Sequence, residues 1–115
     1  RGMKDPESIA NEYFSRMRKG DITVLDLFHD DAVIQGLGMR TKGKDAIREF
    51  YTNAIASGGP QPSEPMTMLS DDTKAIAEVN IALRDGGNVH AIDLFEVEGG
   101  RIRSLTYFIA DHPDE

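Results

Sequence analysis

The sequence of 115 residues contains no cysteine, which removes disulfides, a thiolate nucleophile and a cysteine-built zinc site from consideration. Positive charge is scarce as well, with 13 Lys and Arg against 20 Asp and Glu and a net charge of −7. That balance argues against a nucleic-acid partner, and the densest basic run, Arg16-Met17-Arg18-Lys19, reads as a solvated helix end. Apolar runs long enough to span a bilayer are missing, and so is a secretory segment. No membrane association is therefore expected, and a cytoplasmic location is the default. His29, His90 and His112 are scattered without the spacing of metal ligands, so no metal is expected. Gly36, Gly38 and Gly43 fit neither the dinucleotide nor the P-loop pattern, and no serine sits in a Gly-x-Ser-x-Gly elbow. No cofactor is expected.

What is present is an ordinary globular composition, 39% hydrophobic and 29% charged. A chain of this length buries roughly two-thirds of its unfolded surface, so it can form a core without metal or disulfide staples. Residues 1–115 read as a single domain. Asp5, Pro6 and the recurrence of Ile9, Tyr13, Phe14 and Met17 predict a first helix that Gly20 ends. Asp21 caps a shorter helix through Leu25 and Phe28. Residues 31–35 and 38–41 are short strand candidates around a glycine-rich turn. A third helix, from about Lys44 to Ala56, buries Ile47, Phe50, Tyr51, Ala54 and Ile55, and residues 57–65 form a breaker-rich loop. From Thr73 to Leu83 the odd positions are apolar after the first and the even ones largely polar, the mark of a half-buried strand. Turns at 85–88 and 98–100 link three successive strands. Helices first and strands afterwards predict the α+β class.

One position breaks the pattern. In Val89-His90-Ala91-Ile92-Asp93-Leu94-Phe95-Glu96-Val97 the odd positions are apolar along the whole strand, except for Asp93 at its midpoint. An ionised carboxylate on an apolar face costs many kcal/mol unless it is paired, neutralised or functional. Taken alone, Asp93 could also pair with an arginine or lie on a wet face. Tyr13 and Tyr51, each on the apolar side of a helix, could be core aromatics whose hydroxyls reach water.

The stretch YFSRMRKGDITVLDLFHDDAVIQG (13–36), followed by GKDAIREFYTNAI (43–55) and the AID…GGRI hairpin, resembles the ketosteroid isomerases of the nuclear transport factor 2-like superfamily. That superfamily also holds the SnoaL-like polyketide cyclases, limonene epoxide hydrolase and scytalone dehydratase. The resemblance runs from about Tyr13 to Ala110. It implies a cone-shaped α+β barrel, in which three N-terminal helices wrap a curved antiparallel sheet around an apolar pocket. It also implies that Tyr13 is the catalytic tyrosine and Asp93 the aspartic acid of an oxyanion hole, with Tyr51 supporting Tyr13. On that footing Asp93 is neutral and donates a hydrogen bond, with Tyr13, to a ligand oxygen. Phe28, Gly36, Leu105, Tyr107 and Ile109 are the further expected ligand contacts.

The chain departs from the isomerases at the base position, where the strand Ala32-Val33-Ile34-Gln35-Gly36 puts glycine in place of a carboxylate. A positioned base typically supplies about 10²–10⁴-fold, so steroid isomerisation should be crippled and Gly36→Asp should restore it. Asp111 and His112 are the nearest alternatives in sequence to the pocket mouth. Counting back from the last turn sets Thr106 opposite Asp93, whereas one bulge would bring Leu105 or Tyr107 there. Ala91 stands where the epoxide-hydrolase branch carries an arginine. Two functions compete. One is an isomerase-, cyclase- or dehydratase-like pocket for a small apolar carbonyl, enol or phenol, and the other is a non-catalytic binding or dimerisation module. Ile92 and Leu94, on the opposite face of the Asp93 strand, predict a homodimer joined through the sheets.

Overall fold

The computed structural model describes residues 4–110, so Asp111 and His112 lie outside the described residues. Helix α1 spans Pro6–Lys19. Asp5 caps it by accepting the Ser8 backbone N–H at 2.9 Å. Gly20, in the left-handed region at φ 66°, ends it by donating to the Arg16 and Met17 carbonyls. A 3₁₀ helix over Ile22–Leu27 follows, and Asp21 caps it through Thr23. It stops one residue short of the expected end, and Phe28 instead begins a strand. Six residues beginning with the β-branched pair Ile22 and Thr23 favour this short, tight turn over an α-helix. Helix α2 spans Lys44–Ser57 and buries Ile47, Tyr51 and Ala54, with Phe50 and Ile55 half-buried.

The strands are β1 (Phe28–Gly36), β2 (Met39–Lys42), β3 (Gln61–Pro62), β4 (Thr67–Ser70), β5 (Lys74–Ala82), β6 (Asn88–Glu98) and β7 (Arg101–Ile109). They form one sheet in the order β2-β1-β7-β6-β5-β3, with β4 also paired to β5. The sheet curls into a half-barrel around the helices and has the cone-shaped α+β fold. It is mixed rather than wholly antiparallel, because β1 and β7 run parallel. The long connection between them, which includes α2, supplies the crossover that parallel pairing needs. β3 lies inside the stretch expected as a loop, and at two residues it is too short to leave a periodic signal.

The inner face of the sheet carries Ala75, Ala77, Val79 and Ile81 from β5, and Ala91, Asp93 and Phe95 from β6, all buried. Against them lie Ile9, Ala10, Tyr13, Phe14 and Met17 of α1. Asp93 is the sole carboxyl side chain in this core among the described residues. The alternation read from the sequence is therefore the alternation that builds the interior, and it carries the carboxyl inside.

Candidate functional site

Three tyrosines converge near Asp93. Tyr13 comes from the middle of α1, Tyr51 from the middle of α2, and Tyr107 from β7, where it is the cross-strand partner of Asp93. The Tyr13 hydroxyl lies 2.9 Å from that of Tyr51 and 3.3 Å from that of Tyr107. Edge-on ring contacts hold the group in place. Tyr13 sits 5.3 Å from Phe95, 6.2 Å from Phe28 and 6.1 Å from Tyr51, centroid to centroid.

Register explains why Tyr107 is the residue that arrives. Val97 pairs with Ile102 but Glu96 pairs with Ser104, so Arg103 is the extra residue of a β-bulge. Without it Thr106 would face Asp93. The guanidinium of Arg103 is held outside the ladder by Asp31 at 2.6 Å and Glu98 at 3.1 Å.

Asp93 is fully buried, and neither carboxyl oxygen has a hydrogen-bond partner among the described residues. Burial without a cation raises its pKa to about 8, so at neutral pH it is mostly a neutral acid. Burial first, and the neighbouring phenols and Asp93 next, push Tyr13 well above the ordinary tyrosine value. Burial likewise raises Tyr51 and Tyr107. The cluster therefore presents donors and no ionised base. Three phenols and one carboxylic acid supply four donors, and the two hydroxyl contacts engage two of them. Two remain for an oxygen with two lone pairs.

These groups line a small internal cavity of about 10 Å³, closed by Met17, Leu37, Phe50, Pro60, Pro62 and Ile81. An apolar vestibule of about 500 Å³ lies beyond it, lined by Leu37, Met39, Phe50, Pro60 and Leu83, with Arg84 and Asp85 also in its wall. Leu37, Phe50 and Pro60 face both spaces and form the partition between them. Leu37 holds a left-handed conformation at φ 56° between Gly36 and Gly38, an uncommon state for a branched side chain.

The expected site residues thus divide. Tyr13, Tyr51, Tyr107 and Asp93 meet in one chamber. Phe28 is buried behind it, with its ring 5.7 Å from that of Tyr51, and Leu105 is buried opposite Phe95. Ile109 is 38% exposed beyond Tyr107 and does not line the chamber. Gly36 is not an open base position. A Cβ there would lie 2.6 Å from both the Cβ and the carbonyl oxygen of Tyr107, and its φ of +129° suits glycine alone. Gly36→Asp therefore cannot simply install a base, because Tyr107 fills that volume.

Sequence reasoning overlooked Met17, Leu37, Phe50, Pro60, Pro62 and Ile81 as lining residues. Met17 lies one turn from Tyr13, and Ile81 shares the face of Asp93, so both carried a periodic signal. Leu37, Pro60 and Pro62 sit in irregular or very short segments and carried none.

Residues 10–105 match the SnoaL-like domain. Among curated proteins, none matches the sequence significantly. Solved structures do. An NTF2-like protein of unknown function from Cytophaga hutchinsonii superposes with a TM-score of 0.79 at 12% identity, over 90% of this chain and 88% of that one. A candidate polyketide cyclase from Sinorhizobium meliloti is 28% identical with a TM-score of 0.74, over 87% of this chain and 93% of that one. A candidate ketosteroid isomerase from Kribbella flavida is 20% identical with a TM-score of 0.75, over 95% of this chain and 80% of that one.

Proposed function

The chain belongs to the SnoaL-like domain family, and from that membership we propose that it binds a small apolar ligand through a carbonyl, enol or phenol oxygen. Tyr13 and the protonated Asp93 donate to that oxygen, Tyr51 supports Tyr13, and the vestibule takes the apolar remainder. The observation that carries this reading is Asp93 itself, a fully buried carboxyl with both oxygens unpartnered among the described residues, beside a buried phenol cluster. Such a group is costly to keep unless a bound oxygen uses it. A polyketide or a ketosteroid, the compound classes named for two of the similar structures, carries an oxygen of this kind.

The chemistry on offer is electrophilic. Neutral donors stabilise negative charge that develops on the ligand oxygen. No chamber residue is ionised to take a proton, so a 3-keto-5-ene steroid should be isomerised no faster than the lost base allows, about 10²–10⁴-fold below a complete site. Turnover is confined to substrates that bring their own nucleophile or base, as in an intramolecular ring closure. The same lack of a base favours the second reading, a non-catalytic binding module. Two copies pair through the outer face of the sheet, where Leu69, Ile76, Ile92 and Phe108 are exposed.

The test is the affinity of a fluorescent phenol, 2-naphthol, at pH 7. Asp93→Asn keeps a donor and should retain most of the binding. Asp93→Leu and Tyr13→Phe should each weaken it by about 1–3 kcal/mol, the usual loss for an unmet polar partner. The two losses should not add, because both donors serve one atom. Equal affinity across wild type, Asp93→Leu and Tyr13→Phe would contradict the proposal.

A further inference from the structure

The ligand chamber contains a phenol of its own. We infer that Tyr107 is a built-in occupant of the oxygen site, holding the place at Tyr13, beside Asp93, that a ligand's phenol or enol takes when Tyr107 swings out. This rests on the reading above and narrows its ligand to a head group about the size of the tyrosine ring that it replaces.

Four observations converge. First, Tyr107 lies directly opposite Asp93 in the ladder and reaches the Tyr13 hydroxyl, so its oxygen already takes up one of the two donors assigned to the ligand, while the Asp93 carboxyl beside it stays unpartnered among the described residues. Second, with Tyr107 in place the chamber measures about 10 Å³, room for one water and not for a ring. Removing a phenol-sized side chain is what turns this space into a binding site. Third, the contact is the one poised to break. At 3.3 Å it is longer than the usual hydroxyl–hydroxyl bond, whereas Tyr13 and Tyr51 are 2.9 Å apart. Fourth, Tyr107 is the phenol nearest the surface, 8% exposed against 1% for Tyr13 and 0% for Tyr51. It also packs against Gly36, next to the Gly36-Leu37-Gly38 turn that forms part of the partition.

The donor balance fits the exchange. When Tyr107 leaves, Tyr51 donates to Tyr13, Tyr13 is freed to donate outward, and Asp93 supplies the second bond. The incoming oxygen then receives two hydrogen bonds where Tyr107 had one long contact. Glycine at 36 and tyrosine at 107 become one feature, since the Tyr107 Cβ and backbone occupy the volume that a side chain at 36 would need.

The test compares wild type, Tyr107→Phe and Tyr107→Ala by calorimetric titration at pH 7, with 4-methylphenol, toluene and 2-naphthol as probes. Tyr107→Phe keeps the ring and so secures a folded variant, and thermal unfolding checks both variants. The expected result is that Tyr107→Ala binds 4-methylphenol at least tenfold tighter than wild type, with a distinctly smaller gain for toluene. Tyr107→Phe should bind 2-naphthol several-fold tighter than wild type, because the self-contact is gone. Weaker 2-naphthol binding by Tyr107→Phe would make Tyr107 a donor to the ligand and overturn the inference. So would unchanged 4-methylphenol affinity in a folded Tyr107→Ala. A gain for toluene equal to that for 4-methylphenol, insensitive to Asp93→Asn and Asp93→Leu in the Tyr107→Ala background, would instead defeat the reading that Tyr13 and Asp93 hold an oxygen.

Discussion

Asp93 ties the stability of the domain to pH. Its folded pKa of about 8 lies above the ordinary 3.8, so between those values the folded chain keeps a proton that the unfolded chain has released. The sign follows by linkage. The stabilising contribution is fully present below about pH 4 and is lost as the pH rises to about 8. A shift of this size corresponds to something on the order of 5 kcal/mol across that window. Wild type should therefore unfold at markedly lower urea at pH 8.5 than at pH 5, and Asp93→Asn should remove most of that difference. Equal pH slopes for the two proteins would show that Asp93 is not held neutral. The three phenols stay protonated throughout, because burial raises all of them.

At the scale of elements, the hairpin β6–β7 and its contact with β1 set the site. Tyr107 presses on Gly36 closely enough that even a methyl group must displace backbone. Gly36→Ala should lose about 2–4 kcal/mol through overpacking and the positive φ together, read as a lower urea midpoint with an unchanged m-value. A loss below about 0.5 kcal/mol would mean that β7 does not approach β1 as described. How much of this could be read in the sequence depends on the element. Helix α1 announced both of its ends, through Asp5 and Gly20, and its buried stripe delivered Tyr13. The alternation in β5 and β6 placed Asp93 inside, because a period of two leaves no choice of face once one side is buried. The partner of Asp93 was not legible. A bulge adds a single residue, and nothing in Arg101-Ile102-Arg103-Ser104 distinguishes a bulged Arg103 from a paired one. The parallel pairing of β1 with β7 was equally hidden, since it joins segments about 70 residues apart and leaves no local pattern. The family resemblance implied a base position at Gly36, but the contact that demands glycine there is made across the sheet, with Tyr107.

At the scale of the whole molecule, the sheet has two faces with opposite tasks. The inner one holds the chamber. The outer one leaves Leu69, Ile76, Ile92 and Phe108 between 36% and 63% exposed, with Leu69 paired to Ile76, Ile92 paired to Phe108, and half-buried Leu94 opposite Ile76. Exposed apolar side chains gathered on one face are what a pairing surface presents, and the proposed dimer uses this face. Light scattering at micromolar concentration should give twice the 12.7 kDa chain mass, and Phe108→Asp should reduce it to one chain. A single-chain mass for wild type would remove the pairing. Among the described residues no helix is long and apolar enough to cross a membrane. The proposed site depends on a carboxylic acid that stays neutral inside an apolar chamber so that it can donate to a bound oxygen. The most direct test is a ¹³C NMR titration of the Asp93 carboxyl, assigned by comparison with Asp93→Asn. A buried neutral acid should give a midpoint near pH 8. A midpoint near pH 4, the range of an ordinary aspartate, would contradict it.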